Sequence, residues 1–175
     1  LCRDIPHVST ATIALGYRRQ TISHPLKGTG FVVPRMERST QITAASWVSS
    51  KWPGRAPNDQ VLLRAFLGGT RNVTILDHSD AELIGIAHSD LARLLEINEG
   101  PKFSKVYRWH RSTPQHELGH LARLKQIDIQ LEKHRGLYLT GSSFRGAGIP
   151  DCIADARSTA KQISEEVEPV GAEPI

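Results

Sequence analysis

Pro114 to His120 read Pro-Gln-His-Glu-Leu-Gly-His, so His116, Glu117 and His120 stand at the spacing His-Glu-x-x-His. On a helix, residues four apart share a face. Two imidazoles could then meet one Zn²⁺ while the Glu117 carboxylate polarises a metal-bound water, which is zinc-peptidase chemistry. The surroundings argue against such a helix. Proline is tolerated only in a first turn, and a helical glycine costs about 1 kcal/mol relative to alanine, so Pro114 and Gly119 predict a helix that begins near Gly119. That start leaves His116 outside the helix and out of register with His120. The extended form of the motif also wants Gly and then His, where this chain has Arg123 and Gln126. Glu132 falls on the same helix as His120, and Glu165 and Glu166 have nothing in the pattern to bring them in as a third ligand.

A second stretch also bears on chemistry. Gly136-Leu-Tyr-Leu-Thr-Gly-Ser-Ser-Phe-Arg-Gly-Ala-Gly-Ile-Pro-Asp-Cys-Ile153 places Gly136, Gly141, Gly146 and Gly148 around a strand-to-helix transition. Glycines there let backbone approach a ligand closely, and the unpaired N–H groups of a helix start attract phosphate or another electron-rich group. The order Gly-x-Gly-x-x-Gly and the Walker lysine are both absent. Spacing alone therefore leaves two readings level, a generic anion or cofactor turn and an ordinary tight turn into a helix.

The elements that must hold these residues follow from periodicity. Val8–Arg19, the Gly-Thr-Gly-Phe-Val-Val-Pro-Arg segment and Gln41–Pro53 are β-branched and aromatic runs bounded by Gly and Pro, predicting successive antiparallel strands, with Val61–Gly69 as another. Ser79 and Glu82 stand at capping-box spacing ahead of Leu83, Ile86, Ala87, Leu91, Leu94 and Leu95, which repeat at helical spacing. Phe103–Arg111 returns to extended structure. Gly119–His134 reads as a helix with Leu121, Leu124, Ile127 and Leu131 on one face, and Leu137–Ser143 as a short buried strand. The last helix is expected from Pro150, a residue favoured at the first helical position, carrying Ile153, Ala156, Ala160, Ile163 and Val167 inward.

Composition narrows the class. The 175 residues are 39% hydrophobic and 23% charged, the balance of a soluble globular chain. No apolar run approaches the ~20 residues of a membrane-spanning helix. The net charge is +4, but the basic residues are scattered, no basic stripe is interleaved with aromatics, and Glu165, Glu166 and Glu168 dilute the field. No nucleic-acid partner is expected. Cys2 and Cys152 form no disulfide framework, which points to a reduced, cytoplasmic setting. The chain begins at Leu1 with no basic-then-apolar leader, and reads as a piece of a longer protein.

The stretch Gly136–Ile153 closely resembles the carboxyl-terminal flavin-binding segment of protoporphyrinogen oxidases, members of the flavin-dependent amine-oxidase superfamily. Further blocks resemble the family in the same order: IPHVSTATIALGYRR, GTGFVVPRMER, ITAASWVSSKWPGRAP, VLLRAFLGG and VYRWHRSTPQHELGH. The resemblance runs from Ile5 to about Ile163 and is to the bacterial type, some of whose lineages oxidise coproporphyrinogen III instead of protoporphyrinogen IX. The family pattern at the zinc-like string is Pro-Gln-Tyr-x-x-Gly-His. Here His116 replaces the tyrosine and Glu117 falls at a variable position, so one substitution beside a family histidine produces the zinc spelling.

The resemblance implies an α/β (mixed α+β) chain, the carboxyl-terminal part of a FAD-binding amine-oxidase-like fold. Residues 1–100 would belong to the antiparallel substrate-binding domain, 101–168 would return to the FAD-binding domain as strand and helix, and 169–175 would be a disordered tail. It implies FAD as cofactor, with Ala147, Gly148 and Ile149 where the family's backbone meets the flavin. Trp109 matches an aromatic or imidazole position beside it, and Gly141 and Ser142 are adjacent candidates. The helix start and its amides would stabilise the negative charge that a reduced flavin accumulates. The implied reaction is six-electron oxidation of a porphyrinogen, with molecular oxygen as acceptor and hydrogen peroxide as product. No catalytic acid–base pair and no metal ligand is nominated. Phe31, Val33 and Trp47 are expected to pack the core while their sheet roofs the substrate cavity. The family's amino-terminal dinucleotide fingerprint and membrane-associating helices have no counterpart in this sequence, so peripheral membrane association would run through that region, and this piece alone is expected to hold flavin poorly. A zinc peptidase and a non-catalytic binding module stand as the alternatives, and the oligomeric state stays open.

Overall fold

The computed structural model describes residues 1–166. The expected disordered tail and the inward place of Val167 lie outside them. Two compact units emerge, one formed by Val8–Ser112 and the other by Leu1–His7 together with the chain from Thr113 onward.

The first unit is built on a five-stranded sheet of β1 (His7–Arg18), β2 (Gly30–Val32), β3 (Ile42–Trp47), β4 (Gln60–Gly68) and β5 (Phe103–Pro114), in the order β2-β3-β4-β1-β5. β1 and β4 pair antiparallel with Ile13 opposite Ala65 and Leu15 opposite Leu63, and β3 pairs antiparallel with β4 through a register shift between Ile42 and Ala44. Side chains of a strand alternate between faces. Ala11, Ile13, Leu15 and Tyr17 of β1, with Val61, Leu63, Ala65 and Leu67 of β4, therefore fill one buried face. Burying each large side chain of that set stabilises the fold by roughly 1.5–3 kcal/mol. Leu83, Ala87, Leu91 and Leu95 of α2 (Asp80–Leu95) belong to the same core. Val33 and Trp47 join it and Phe31 packs against it, so these three serve the core as expected. They do so on the α2 side of the sheet, which leaves any cavity on that sheet to the opposite face.

α2 begins where the sequence places it. The Ser79 hydroxyl accepts from the Glu82 amide at 3.3 Å, and the Glu82 carboxylate accepts from the Ser79 amide and hydroxyl, each at 2.7 Å. The Ser79 hydroxyl and amide hold the Glu82 carboxyl below the ordinary carboxylate range. With the folded value below the unfolded one, the contribution is complete above the unfolded value and is lost as the pH falls through the folded one. Ser79→Ala is expected to cost about 1 kcal/mol. A urea unfolding midpoint identical to wild type would count against that.

Two details of the first unit depart from the sequence reading. The segment Gln41–Pro53 does not stay extended: β3 ends at Trp47 and the chain turns into the short helix α1 (Val48–Lys51). Ile86 is half-buried and Leu94 is 38% exposed, so the core stripe of α2 is the narrower Leu83–Ala87–Leu91–Leu95 row.

The second unit carries α3 (His120–Leu131) and α4 (Ile149–Glu166). Gly119 sits at φ 88° immediately before α3, a left-handed conformation that glycine adopts without penalty and that ends any helical continuity with His116. Leu124 and Ile127 are buried and Leu131 is half-buried, but Leu121 is 74% exposed, so one expected member of that face is missing from it. Leu137–Ser143 forms no strand, and Leu137 is exposed. A strand needs a ladder partner, and the segment has none among the described residues.

α4 turns the other way from expectation. Ile153, Ala156, Ala160 and Ile163 are exposed, and the half-buried positions are Cys152, Asp155 and Thr159, three and four residues apart on one polar stripe. Nothing apolar among the described residues of the unit covers the isoleucine face, while hydrogen-bonding groups of the preceding turn are available to the polar one. The helix turns its polar side inward.

Candidate functional site

The turn from Leu139 to Gly148 is fastened from several sides. Asp155, whose side chain is only 9% exposed, accepts from the Thr140 hydroxyl at 2.7 Å and the Gly141 amide at 3.3 Å. Arg145 reaches Asp155 at 3.5 Å, Asp128 of α3 at 2.7 Å and the Leu139 carbonyl at 3.2 Å. Buried His120 meets the Phe144 carbonyl through Nε2 at 2.8 Å, and a carbonyl only accepts, so Nε2 carries the proton. His7 meets the Ile5 carbonyl through Nδ1 at 2.9 Å, leaving Nε2 to accept from the Ser143 hydroxyl at 3.0 Å. The Cys152 thiol donates to the Gly146 carbonyl at 3.4 Å. Tyr138, just ahead of the turn, donates to Glu166 at 2.6 Å, and that bond raises the phenol above its ordinary value.

These fastenings stop at Gly146. The amides of Ala147, Gly148 and Ile149 donate no hydrogen bond among the described residues, and the first bond of α4 closes from the Cys152 amide to the Gly148 carbonyl at 2.9 Å. Ala147, Gly148 and Ile149 are exposed. The turn thus presents unpaired N–H groups at the positive end of an 18-residue helix, an arrangement suited to an electron-rich ligand edge. Gly141 (φ 120°) and Ser142 lie half-buried at the near end of the same turn. Of the six sequence-derived cofactor residues, five therefore share this one turn. At Gly146 an added Cβ would sit 2.5 Å from the Asp151 Cβ, whereas at Gly148 its nearest neighbour would be the movable Asp151 carboxylate oxygen at 2.8 Å. Gly146 is required by the turn itself. Gly148 is not, which leaves its open surface available to a ligand.

Trp109 belongs to the other unit. Arg108 points toward α2, where it pairs with Asp80 and donates to the His78 carbonyl, so by strand alternation Trp109 stands on the opposite sheet face. Its indole N–H donates to the Thr12 hydroxyl at 3.2 Å, and the ring is 49% exposed. Tyr107 (50%) and Phe103 (53%) are likewise exposed two and six residues earlier on the same strand. The result is an open aromatic row in which the Trp109 indole N–H is already satisfied, a face suited to a flat, largely apolar ligand.

The zinc-like string does not assemble a ligand pair. The rings of His116 and His120 stack at 4.1 Å with planes 11° apart. Imidazole lone pairs lie in the ring plane, so two nearly parallel, stacked rings cannot aim them at one ion. His120 Nε2 is also occupied by Phe144. Among the described residues, no group of three or more His, Cys, Asp or Glu side chains is arranged to hold a metal, and no helix is long and apolar enough to cross a membrane.

An antiparallel sheet with exposed aromatics on one face, and a glycine-rich turn leading with free amides into a long helix, make this a mixed α/β chain. The flavin containing amine oxidoreductase family matches residues 2–164, and the chain belongs to it. The coproporphyrinogen III oxidase of Bacillus subtilis (strain 168) is 39% identical over 157 residues, covering 89% of this chain and 33% of the relative. The coproporphyrinogen III oxidase of Staphylococcus aureus (strain NCTC 8325 / PS 47) is 35% identical over 166 residues, covering 94% of this chain and 35% of the relative. A crystal structure from Exiguobacterium sp. 255-15, provisionally named protoporphyrinogen oxidase, superposes with a TM-score of 0.81 at 32% identity over 94% of this chain and 36% of that one. The chain thus spans about a third of the length of the relatives it matches. The mixed α/β fold with an antiparallel sheet is that of the amine-oxidase-like flavoproteins.

Asp155, Asp128, Arg145 and His7 went unmarked in the sequence. For Asp155 a signal existed: with Cys152 and Thr159 it forms a polar stripe at helical spacing, which reads as a solvated face until the turn is seen lying against it. Thr12 gave none, because its pairing with Trp109 depends on strand register.

Proposed function

We propose that this chain supplies the carboxyl-terminal part of a FAD-dependent porphyrinogen oxidase of haem biosynthesis, acting on coproporphyrinogen III or protoporphyrinogen IX with oxygen as acceptor. The single observation that carries the reading is the set of unpaired amides at Ala147, Gly148 and Ile149, at the positions where the family resemblance puts the flavin. Coproporphyrinogen III is the favoured substrate, since the relatives at 39% and 35% identity bear that name. FAD, when bound, accepts hydride equivalents from the macrocycle.

Everything else falls to the chain's own residues. The free amides and the α4 dipole favour negative charge at the ligand edge they face. Gly148 offers no side chain to obstruct that edge. Trp109, whose indole N–H is satisfied by the Thr12 hydroxyl, is assigned by the family resemblance to an aromatic position beside the flavin. In domain terms, the unit Val8–Ser112 is assigned to the substrate-binding domain and the unit from Thr113 onward to the FAD-binding domain. That assignment keeps β5 with the sheet it pairs into.

The test is a chimera in which this chain replaces the matching third of the Bacillus subtilis coproporphyrinogen III oxidase. It is expected to purify with near-stoichiometric FAD and to generate fluorescent coproporphyrin III from the porphyrinogen. Gly148→Val within it is expected to raise the flavin dissociation constant about tenfold, the loss of ~1.4 kcal/mol of binding. A folded chimera that carries no flavin would sink the proposal.

A further inference from the structure

Asp155 stands out among the charged groups that the proposed function leaves unused. It is nine-tenths buried on α4, and three groups separated along the turn converge on its carboxylate: the Thr140 hydroxyl at 2.7 Å, the Gly141 amide at 3.3 Å and the Arg145 guanidinium at 3.5 Å. Thr140 and Gly141 enter the turn, and Arg145 precedes the exit at Gly146. A single side chain therefore ties both ends of the loop to the helix that the loop leads into. Arg145 extends the tie to Asp128 of α3 and to the Leu139 carbonyl. The amides that remain free, at Ala147 to Ile149, follow directly after the last fastened residue.

We infer that Asp155 is a positioning residue for the flavin-facing amides: by closing the loop onto α4 it fixes where the N–H groups of Ala147, Gly148 and Ile149 point. The inference rests on the reading of this turn as a flavin contact. Geometry gives the reason for a carboxylate here. A carboxylate accepts through two oxygens at several lone-pair positions, so it can take a hydroxyl, an amide and a guanidinium together. Burial removes the water that would otherwise compete for them. Gly141 is held at φ 120°, a left-handed-side conformation that an unfastened loop has no reason to retain. Without the tie, the free amides would sample many directions, and each would have to be ordered again when ligand binds.

The experiment uses the Bacillus subtilis chimera carrying this chain, followed by amide hydrogen exchange and by backbone NMR of the flavin-stripped protein during titration with FAD. With the chain unchanged in the chimera, the Gly141 amide is expected to be protected and the amides of Ala147, Gly148 and Ile149 to shift as FAD is added. Asp155→Ala is expected to accelerate Gly141 exchange at least about tenfold and to abolish the FAD-dependent shifts, while exchange in the middle of α4 stays within about twofold of wild type. Asp155→Asn keeps one acceptor oxygen and should restore part of both signals, a rescue that a purely steric role would not show. Thr140→Val, a milder change with no effect on charge, should give a partial loss and serves if the alanine variant does not fold. Unchanged exchange at Gly141 in Asp155→Ala and Thr140→Val would overturn the inference. So would faster exchange accompanied by wild-type FAD shifts. Failure of the flavin reading is told apart because it appears in the wild-type chain, as FAD shifts that miss Ala147–Ile149 altogether.

Discussion

Gly68→Ala is expected to destabilise the sheet unit by on the order of 4 kcal/mol, a large share of the roughly 5–15 kcal/mol that holds an ordinary domain folded. Gly68 ends β4, a strand paired on both sides in the sheet, and holds φ 93°, where an L side chain costs about 1–3 kcal/mol. The methyl group has nowhere to go. It would lie 2.6 Å from Cγ2 of fully buried Ile75 and 2.8 Å from the Ser9 carbonyl oxygen, so the core and the partner strand would both have to shift, for roughly another 1–3 kcal/mol. Its neighbour supplies the control. Gly69 has φ 73° but nothing within 4 Å of an added Cβ, so Gly69→Ala should show the backbone cost alone, about 1 kcal/mol. Urea unfolding of both variants reads the difference directly. Equal midpoints for the two would show that the contact with Ile75 and Ser9 has no weight.

Removing the Asp90 carboxylate is expected to cost about 2–4 kcal/mol. Asp90 is a buried acid on α2, and its Oδ2 accepts from the amides of Gln41 at 2.7 Å and Ile42 at 3.0 Å, fixing the start of β3 to the helix. Ile42 is fully buried, so once the carboxylate is gone its amide has no route to water. A buried donor left unpaired costs roughly 1–3 kcal/mol, more than the net value of the bond it lost. Asp90→Ala strands the Ile42 amide and releases the Gln41 amide, whereas Asp90→Asn keeps an acceptor oxygen and loses chiefly the charge facing Arg93, 3.7 Å away at a half-exposed guanidinium. The asparagine variant should therefore lose less than half as much. Hydrogen exchange at the Ile42 amide gives a local check. If Asp90→Ala leaves that amide as protected as in wild type, the tie is not what holds β3.

Much of the first unit was legible before any coordinates. Period-two runs marked β1 and β4, and the Ser79–Glu82 spacing located the start of α2, because alternation and capping are local properties carried by neighbours in sequence. The helix start at Gly119 was readable for the same reason, and with it the break between His116 and His120. The second unit was read less well. A strand at Leu137–Ser143 requires a partner that sequence periodicity does not supply. The inward face of α4 was assigned to its isoleucines when the structure turns Cys152, Asp155 and Thr159 toward the turn.

The sequence by itself determined the family and the glycine-rich turn into the last helix, since the order of motifs is written along the chain, and the resemblance pointed to Ala147, Gly148 and Ile149. Only the tertiary structure decided which amides of that turn remain unpaired, which carboxylate fastens it, and which way Trp109 faces. Those facts depend on groups brought together from distant positions: Asp155 with Thr140 and Arg145, His120 with Phe144, Trp109 with Thr12. Hydrogen-bond satisfaction belongs to a folded neighbourhood, and no spacing rule on a single strand or helix contains it.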